Sequence, residues 1–559
     1  MKAIIFISLL LALSACSGDD KATTKSQEKG EPVNGIRIAW DYSSLQQIAD
    51  IGCYNRLLRL NDNSIMAIYE TRTGDIEYRR SHDNGVSWSV AIKMFSRIPV
   101  KNEKGETNIN MSNPEIIQLQ NGDLIVACNY RPQKEEIVPY SIVIRRSTDN
   151  GATWLAPQII YNAAPRFKDG CWEPSFLQLP NGEVQVYFAN ENPYQSSEEQ
   201  EISMLSSLDN GVTWTDEIKT VSFRADRRDG MPVPAIIGDE IVVVIEDNNI
   251  DQFKPYTVRT KIADNWSQPV LANSPNRECA FAPSENVSDK VYMGAPYIIK
   301  LPTGETVISY QSTQNRTTEW ELSTMEVAIG DKAAKNFTKR SYPIDVPLDK
   351  EAKWNSIAVW DANTVVAFPS TNFKSANVSP WIIMGHIIPE IKAQQTVSTY
   401  PIFIGAKGST NMRAGIAADN TNIYVKCKVN DDILYQESAN SKSDGVYVYI
   451  DSENTSLKGP DKGAYKLWCD YKGNAALWEG KGGNWNTASA NNIKATAVTT
   501  TSGYDLEITI PKTIFPALDK NAIRLGMALS AYNSSLLGYT EQLINSIEDA
   551  PNTWLEVKF

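Results

Sequence analysis

Two glutamates stand out as groups that could do chemistry. Glu173 follows Cys171-Trp172, and Glu246 follows Val243-Val244-Ile245. A carboxyl set among apolar or aromatic neighbours is held back from ionising, which suits a proton donor. Two carboxyls facing one substrate are the usual equipment for cleaving a glycosidic bond. One protonates the leaving oxygen, and the other attacks the anomeric carbon or activates water. Either glutamate alone would serve equally well in a salt bridge; the pair, at matching places in an internal repeat, favours chemistry. Other reaction types lack their parts. Only two histidines occur, His82 and His386, too few for a His-ligated metal centre or a Ser-His-Asp triad. No CxxC or Cys/His cluster suggests zinc, and no redox cofactor or nucleotide site is implied.

The elements that must position such a pair are legible as repeats. Three octets share Ser-x-Asp-x-Gly-x-x-Trp: Ser81 to Trp88, Ser147 to Trp154 and Ser207 to Trp214. In such a turn the Asp carboxylate accepts backbone N–H groups, Gly takes positive φ and Trp packs beneath. A second repeat consists of polar turns leading into apolar strands that begin at residues 64, 123, 183, 240, 305 and 363. A spacing of about 60 residues suits a four-stranded propeller blade, and six units make six blades. The fold expected is all-β: a six-bladed propeller over 35–390, then an antiparallel β-sandwich over 391–559.

In each blade the first strand begins, and the second ends, at one mouth of the ring. Residues there should line a central funnel. They are Asn55, Arg56, Glu70, Arg72, Asn113, Glu115, Asn129, Arg131, Trp172, Glu173, Asn190, Glu191, Arg228, Asp229, Glu246, Asp247, Tyr297, Gln311, Trp354 and Asn355. Carboxylates, guanidinium groups and aromatics at this density suit a sugar-binding site better than a core. Of these, Arg56, Glu70, Arg72, Asn113, Arg131, Trp172, Glu191, Arg228, Asp229, Tyr297, Gln311, Trp354 and Asn355 are candidate substrate contacts.

The three octets match the Asp boxes of sialidase-type propellers. Trp172-Glu173-Pro174, Leu179-Pro180-Asn181-Gly182, Arg228-Asp229-Gly230-Met231-Pro232 and Ile245-Glu246 resemble glycoside hydrolase family 93, over Arg37 to Pro389. That resemblance implies exo-acting, retaining cleavage of α-1,5-L-arabinan, with Glu173 as nucleophile and Glu246 as acid/base. Retention would place the two carboxyls about 5–5.5 Å apart. An exo-α-sialidase is the nearest alternative, with Arg56, Arg131, Arg228 and Arg316 available for a carboxylate clamp. Against it, the first blade reads Tyr54-Asn55-Arg56-Leu57-Leu58 rather than Arg-Ile-Pro, and Trp354-Asn355-Ser356 stands where sialidases place their Tyr. A non-catalytic glycan-binding propeller is the third reading.

Beyond Pro389 the repeat stops. Alternating strands at 423–429, 445–451 and 504–510 suit a sandwich whose layout resembles family 9 carbohydrate-binding modules. Trp468, Trp478 and Trp485 are candidate platforms for sugar rings, with one or two of them expected to be exposed. Acidic loops such as Asp451 to Glu453 carry the ligand type for a structural calcium ion, although no dedicated metal motif is present. At the other end, Lys2, the apolar run Ile4 to Leu13 and Leu13-Ser14-Ala15-Cys16 read as a lipoprotein signal (1–16) with Cys16 as the lipidated residue. Residues 17–34 then form a polar tether. The protein is expected to be exported and lipid-anchored at a bacterial envelope, monomeric, and to act on an oligo- or polysaccharide. Export permits disulfides among the remaining six cysteines. A net charge of −12, with 42% hydrophobic and 21% charged residues, describes a soluble protein and argues against nucleic acid.

Overall fold

The structure, a computed structural model, describes residues 35–249, 251–388, 391–405, 410–436, 443–532, 539–542 and 546–559. The signal segment with Cys16 and the 17–34 tether lie outside the described residues.

Six antiparallel sheets form the six blades, and the inner strands of consecutive blades are Cys53–Arg59, Gly105–Gln118, Cys171–Gln178, Asp229–Ile237, Met293–Lys300 and Ala352–Asp361. Five have four strands. The second has a fifth, Ile98–Asn102, paired to an extended inner strand; the regular spacing did not disclose that addition. The sixth blade takes its outermost strand from the N-terminal segment Arg37–Gln47, which pairs antiparallel with Ser379–Ile388. The ring is closed by its own beginning.

Each second strand is covered on both faces by neighbouring blades, so it reads as an unbroken apolar run. In the fourth blade Ile241 to Ile245 are all fully buried. Their alternation divides them: Ile241, Val243 and Ile245 pack with the third blade, while Val242 and Val244 pack with the fifth. Each such side chain contributes about 1.5–3 kcal/mol of burial. The same alternation orients the last two residues of the strand. Glu246 belongs to the face that meets the fifth blade, and Asp247 to the opposite face.

The Asp-box turns sit between the third and fourth strands of the first three blades, as their chemistry requires. In the second box Asp149 Oδ1 accepts from Ser147 Oγ and from Thr153 N–H, both at 2.8 Å, and Ser147 Oγ accepts from Gly151 N–H at 2.8 Å. Gly151 has φ of +82°. The side-chain and backbone donors of Thr153 hold Asp149 at about 2, below the usual carboxylate range. These turns face the outside and position no funnel residue.

Beyond residue 390, two sheets face each other across one apolar core. The predicted strands are present as Asn422–Asn430, Gly445–Asp451 and Gly503–Pro511. Ala39 and Ile388 of the sixth blade join that core, and Trp40 O packs against Gly405. All six described cysteines are unpaired. No group of three or more His, Cys, Asp or Glu arranged for a metal ion occurs among the described residues.

Candidate active site in the propeller funnel

The funnel is built from one irregularity repeated six times. Every inner strand slips register against its partner, between Cys53/Arg56, Ser112/Glu115, Trp172/Ser175, Gly230/Val233, Gly294/Tyr297 and Lys353/Ser356. The first residue of each bulge is left-handed: Tyr54 (φ 53°), Asn113 (54°), Glu173 (52°), Met231 (49°), Ala295 (50°) and Trp354 (49°). The second residue is Asn55, Pro114, Pro174, Pro232, Pro296 or Asn355. Proline suits a bulge because it has no N–H to leave unpaired. A non-glycine residue held in this region costs on the order of 1–3 kcal/mol, and such positions cluster at functional sites. Four of these residues, Tyr54, Met231, Ala295 and Trp354, pack together although they come from the first, fourth, fifth and sixth blades. The six bulges therefore ring one centre, and Glu173 is the third blade's contribution to it.

Four bulge N–H groups are capped by the preceding blade. Asn113 N donates to Glu70 Oε2 (2.9 Å), Glu173 N to Asn129 Oδ1 (2.9 Å), Ala295 N to Glu246 Oε2 (2.8 Å) and Trp354 N to Gln311 Oε1 (2.9 Å). The capping residues occupy one register position, opposite Cys53, Ser112, Gly230 and Gly294 respectively. Glu70 and Gln311, expected to contact substrate, are thus corrected to struts between blades. Glu70 also accepts from Cys53 Sγ (3.0 Å), and Gln311 is fully buried and donates to Tyr292 Oη (2.8 Å). Glu246 shares the strut position but spends only Oε2 on it. Its Oε1 lies over Gly230, where a Cβ would stand 3.0 Å away, and a Cβ at Gly294 would stand 2.6 Å from Oε2. Two glycines thus leave room for this carboxyl.

Glu173 and Glu246 are both half-buried. The Glu173 carboxyl has no hydrogen bond or ion pair among the described residues. It is within electrostatic reach of Tyr54, Arg131, Glu191, Arg228, Glu246 and Tyr292, from five blades. Burial pushes Glu173 up to about 8, reinforced by the charges of Glu246 and Glu191 and opposed by Arg131 and Arg228. Burial also raises Glu246, to about 7, against the Ala295 N–H and Arg228. These are two carboxyls that disfavour being charged together.

Beside Glu173 stands a polar wall. Glu191 is buried, accepts from Trp172 Nε1 (2.8 Å) and is paired with Arg228. Arg131 is exposed, with its guanidinium 5.1 Å from the Phe167 ring centre and 5.5 Å from that of Trp172. Trp172 itself is buried against Tyr140 and Phe167, so it backs the wall and is not an open stacking surface.

Several expected contacts lie elsewhere. Arg56 is buried, with Nε 2.9 Å from Glu115 Oε2 and its guanidinium 4.2 Å from the Tyr54 ring centre and 4.9 Å from that of Tyr297. It plugs the ring with Tyr297 and is spent on protein partners. Asn355 is buried and offers its carbonyl to Arg56 Nη1 (3.4 Å). Asp229 is fully buried and held by both Nη atoms of Arg277, at 2.8 and 2.6 Å; it faces away from the funnel. Arg72 is exposed and reaches Asn377 Oδ1 (3.3 Å), placing it between the first and sixth blades. Arg316 donates to the carbonyls of Leu322, Val346, Pro347 and Lys350, which leaves it no fork for a substrate carboxylate.

The sequence pattern left Tyr54, Met231 and Ala295 of the ring unrecognised, and Tyr292 with them. A signal was present for Met231 and Ala295: Asn113-Pro114, Glu173-Pro174, Met231-Pro232 and Ala295-Pro296 repeat one dipeptide at blade spacing. Tyr292 stands three residues before its bulge, as Arg228 does in the preceding blade. The charges of Glu246 and Glu173 reinforce burial in raising its hydroxyl.

In the sandwich, Trp468 is buried with Nε1 behind Gly445, correcting its reading as a platform. Trp478 is half-buried with Lys466 Nζ 5.3 Å from its ring centre. Trp485 is half-buried, donates Nε1 to Asp549 (2.7 Å) and stacks on Trp554 at 6.5 Å.

Comparison with known proteins agrees with this two-part architecture. Residues 58–234 match the family of BNR repeat-like domains, and residues 392–558 match the carbohydrate family 9 binding domain-like family. No curated protein matches. Among solved structures, the propeller is similar to an α-L-arabinofuranosidase of Fusarium graminearum at 15% identity, covering 64% of this chain and 98% of that one, TM-score 0.45. It is also similar to a Hadza microbial sialidase at 13% identity, covering 60% and 66%, TM-score 0.41. The sandwich is similar to a family 9 carbohydrate-binding module of Caldicellulosiruptor kristjanssonii at 16% identity, covering 31% and 83%, TM-score 0.24. The chain carries a BNR-repeat propeller followed by a family 9-like sandwich. At these identities the likeness to solved structures is one of fold.

Proposed function

We propose that this protein is an exo-acting, retaining glycoside hydrolase that removes a terminal unit from α-1,5-L-arabinan or a related polysaccharide. The observation that carries this reading is the convergence of two half-buried carboxyls with raised pKa, one on a strained bulge and one locked by the next blade. Glu173, whose carboxyl makes no hydrogen bond among the described residues, attacks the anomeric carbon while Glu246 protonates the departing oxygen, which gives a glycosyl ester. Glu246 then takes a proton from water, and that water displaces Glu173. Arg131 and Arg228 oppose the rise in the Glu173 pKa and favour its ionised form.

The sialidase alternative asks for several arginines on one carboxylate. Arg56 and Arg316 are committed to Glu115 and to backbone carbonyls, and Arg228 is paired with Glu191. This weighs toward a neutral sugar. The sandwich adds affinity for the polysaccharide, and the lipoprotein signal would hold both at the envelope. The test is sugar release from linear arabinan and from sialyl-lactose by a soluble form lacking residues 1–20, with Glu173→Gln and Glu246→Gln alongside. Arabinan products lost in both variants are expected. Release of sialic acid instead would overturn the substrate class, and full activity in either variant would overturn the mechanism.

A further inference from the structure

Among the described residues Trp320 is the one tryptophan in the set of exposed large apolar side chains, at 41% exposure. It begins a short turn, Trp320–Leu322, on the loop between the second and third strands of the fifth blade. Nothing about it is loose. Arg316 fastens the loop by its four hydrogen bonds to backbone carbonyls, including that of Leu322. The Lys353 ammonium, buried and paired with Glu321 and Glu351, lies 4.8 Å from the indole centre. Tyr292 meets the indole edge-on at 6.1 Å, and Trp354 of the funnel ring at 6.3 Å.

A cation and two aromatic rings therefore fix the indole, and a large part of it still faces water. An exposed ring with its rotamer already fixed can bind without the usual loss of side-chain freedom. It offers the flat apolar surface on which the C–H face of a sugar ring packs. Its place in the funnel tells which sugar. Tyr292 connects it to the Glu246 side: Tyr292 Oη and Glu246 Oε2 both crowd the space a Cβ at Gly294 would fill. The Glu173 wall, made by Trp172, Phe167 and Arg131, belongs to the second and third blades.

We propose that Trp320 is the stacking platform for the sugar residue on the leaving side of the cleaved bond, the one whose oxygen Glu246 protonates. This rests on the hydrolase reading and deepens it. The terminal unit enters the funnel, and the remaining chain leaves over the fifth blade across Trp320. Trp354 and Tyr54, stacked at 6.3 Å, continue the aromatic surface inward.

The experiment compares wild type, Trp320→Ala and Trp320→Tyr on linear arabino-oligosaccharides and on a glycosyl fluoride of the released sugar, whose leaving group carries no ring. Trp320→Ala should lose about tenfold or more in kcat/KM on the oligosaccharide, the scale of one lost aromatic contact, and much less on the fluoride. Trp320→Tyr should recover part of the loss. Equal losses on both substrates would mean that Trp320 only supports the fold around Lys353, and no loss on the oligosaccharide would remove it from the site. If wild type cleaves neither, the hydrolase reading fails, and oligosaccharide binding by calorimetry decides the platform separately: a dissociation constant unchanged in Trp320→Ala overturns it.

Discussion

Glu246 and Asp247 are consecutive residues of one strand, and they end in opposite surroundings. Asp247 and Asp229 are fully buried around Arg277, which places Nη1 2.7 Å from Asp247 Oδ2 and Nη2 2.6 Å from Asp229 Oδ2. Arg224 adds a second contact to Asp247 at 3.0 Å, and Ser222 donates to Asp229 at 2.7 Å. On the other side of the pleat, Glu246 and Glu173 have no cation within ion-pair distance among the described residues. Two buried carboxylates with an arginine between them form a structural joint. Two without one give up their protons reluctantly, and that reluctance is what acid–base catalysis uses. Burial is common to both; the pairing distinguishes them.

Three substitutions test this contrast. Glu246→Gln keeps an oxygen for the Ala295 N–H but removes the proton, so kcat should fall about 10²–10⁴-fold while the melting temperature stays close to wild type. Glu173→Gln should be at least as damaging. A loss below tenfold in either would place that glutamate with the joints. Arg277→Met should do the reverse, leaving buried Asp229 with no cation and Asp247 with Arg224 alone, at a cost of about 3–5 kcal/mol, seen as a lower urea midpoint. An Arg277→Met protein as stable as wild type would erase the distinction.

The pH profile probes the same difference. With Glu173 at about 8 and Glu246 at about 7, the pair passes through a singly protonated form around neutrality. The single proton of that form rests mainly on Glu173, the group with the higher value, so the arrangement the mechanism uses, Glu173 ionised and Glu246 protonated, is its minor tautomer. The plot of kcat/KM against pH should still be bell-shaped, falling on the acid side as the pair takes up its second proton and on the alkaline side as it loses its last. Arg131 favours ionised Glu173, so in Arg131→Met the alkaline limb, which follows the higher of the two values, should move to higher pH. A limb that stays in place would show that Arg131 does not act on the pair. The smallest effect belongs to the outer turns. Ser147→Ala removes a buried hydroxyl that bridges Asp149 and Gly151, costing about 1 kcal/mol in thermal unfolding with activity unchanged.

Much of this was legible in the residues. The period of about 60 located all six blades, and the Asp-box chemistry is what the turns display. Glu173, Glu246, Arg131, Arg228 and Glu191 were read as funnel residues, and they share one electrostatic neighbourhood. Asp229, Arg56 and Gln311 depart from the expectation of a substrate contact for one physical reason. Being at the mouth of a strand does not decide which side of the pleat a side chain takes, nor whether a neighbouring blade has already claimed its polar atoms. Arg277, which claims Asp229, is distant in sequence and carries no motif; the pairing of Arg56 with Glu115 and of Gln311 with the Trp354 N–H runs between blades, where spacing along the chain shows nothing. Tyr54 and Tyr292 stayed hidden because an aromatic beside a strand looks the same whether it fills a core or lines a funnel. The fifth strand of the second blade is an insertion, which a repeat spacing absorbs without trace.

The closure of the sixth blade has a consequence for how the chain is made. Arg37–Gln47 emerges early, yet its partner Ser379–Ile388 comes only after five blades have been synthesised. Until then the first-made strand has no ladder to join, and the growing ring ends in an unpaired edge that could pair with another chain. Completion of the propeller is therefore a late event that fastens all six blades at once. A chain interrupted before residue 379, or trimmed past residue 47, would keep its blade sequences and lose the clasp that makes them a ring.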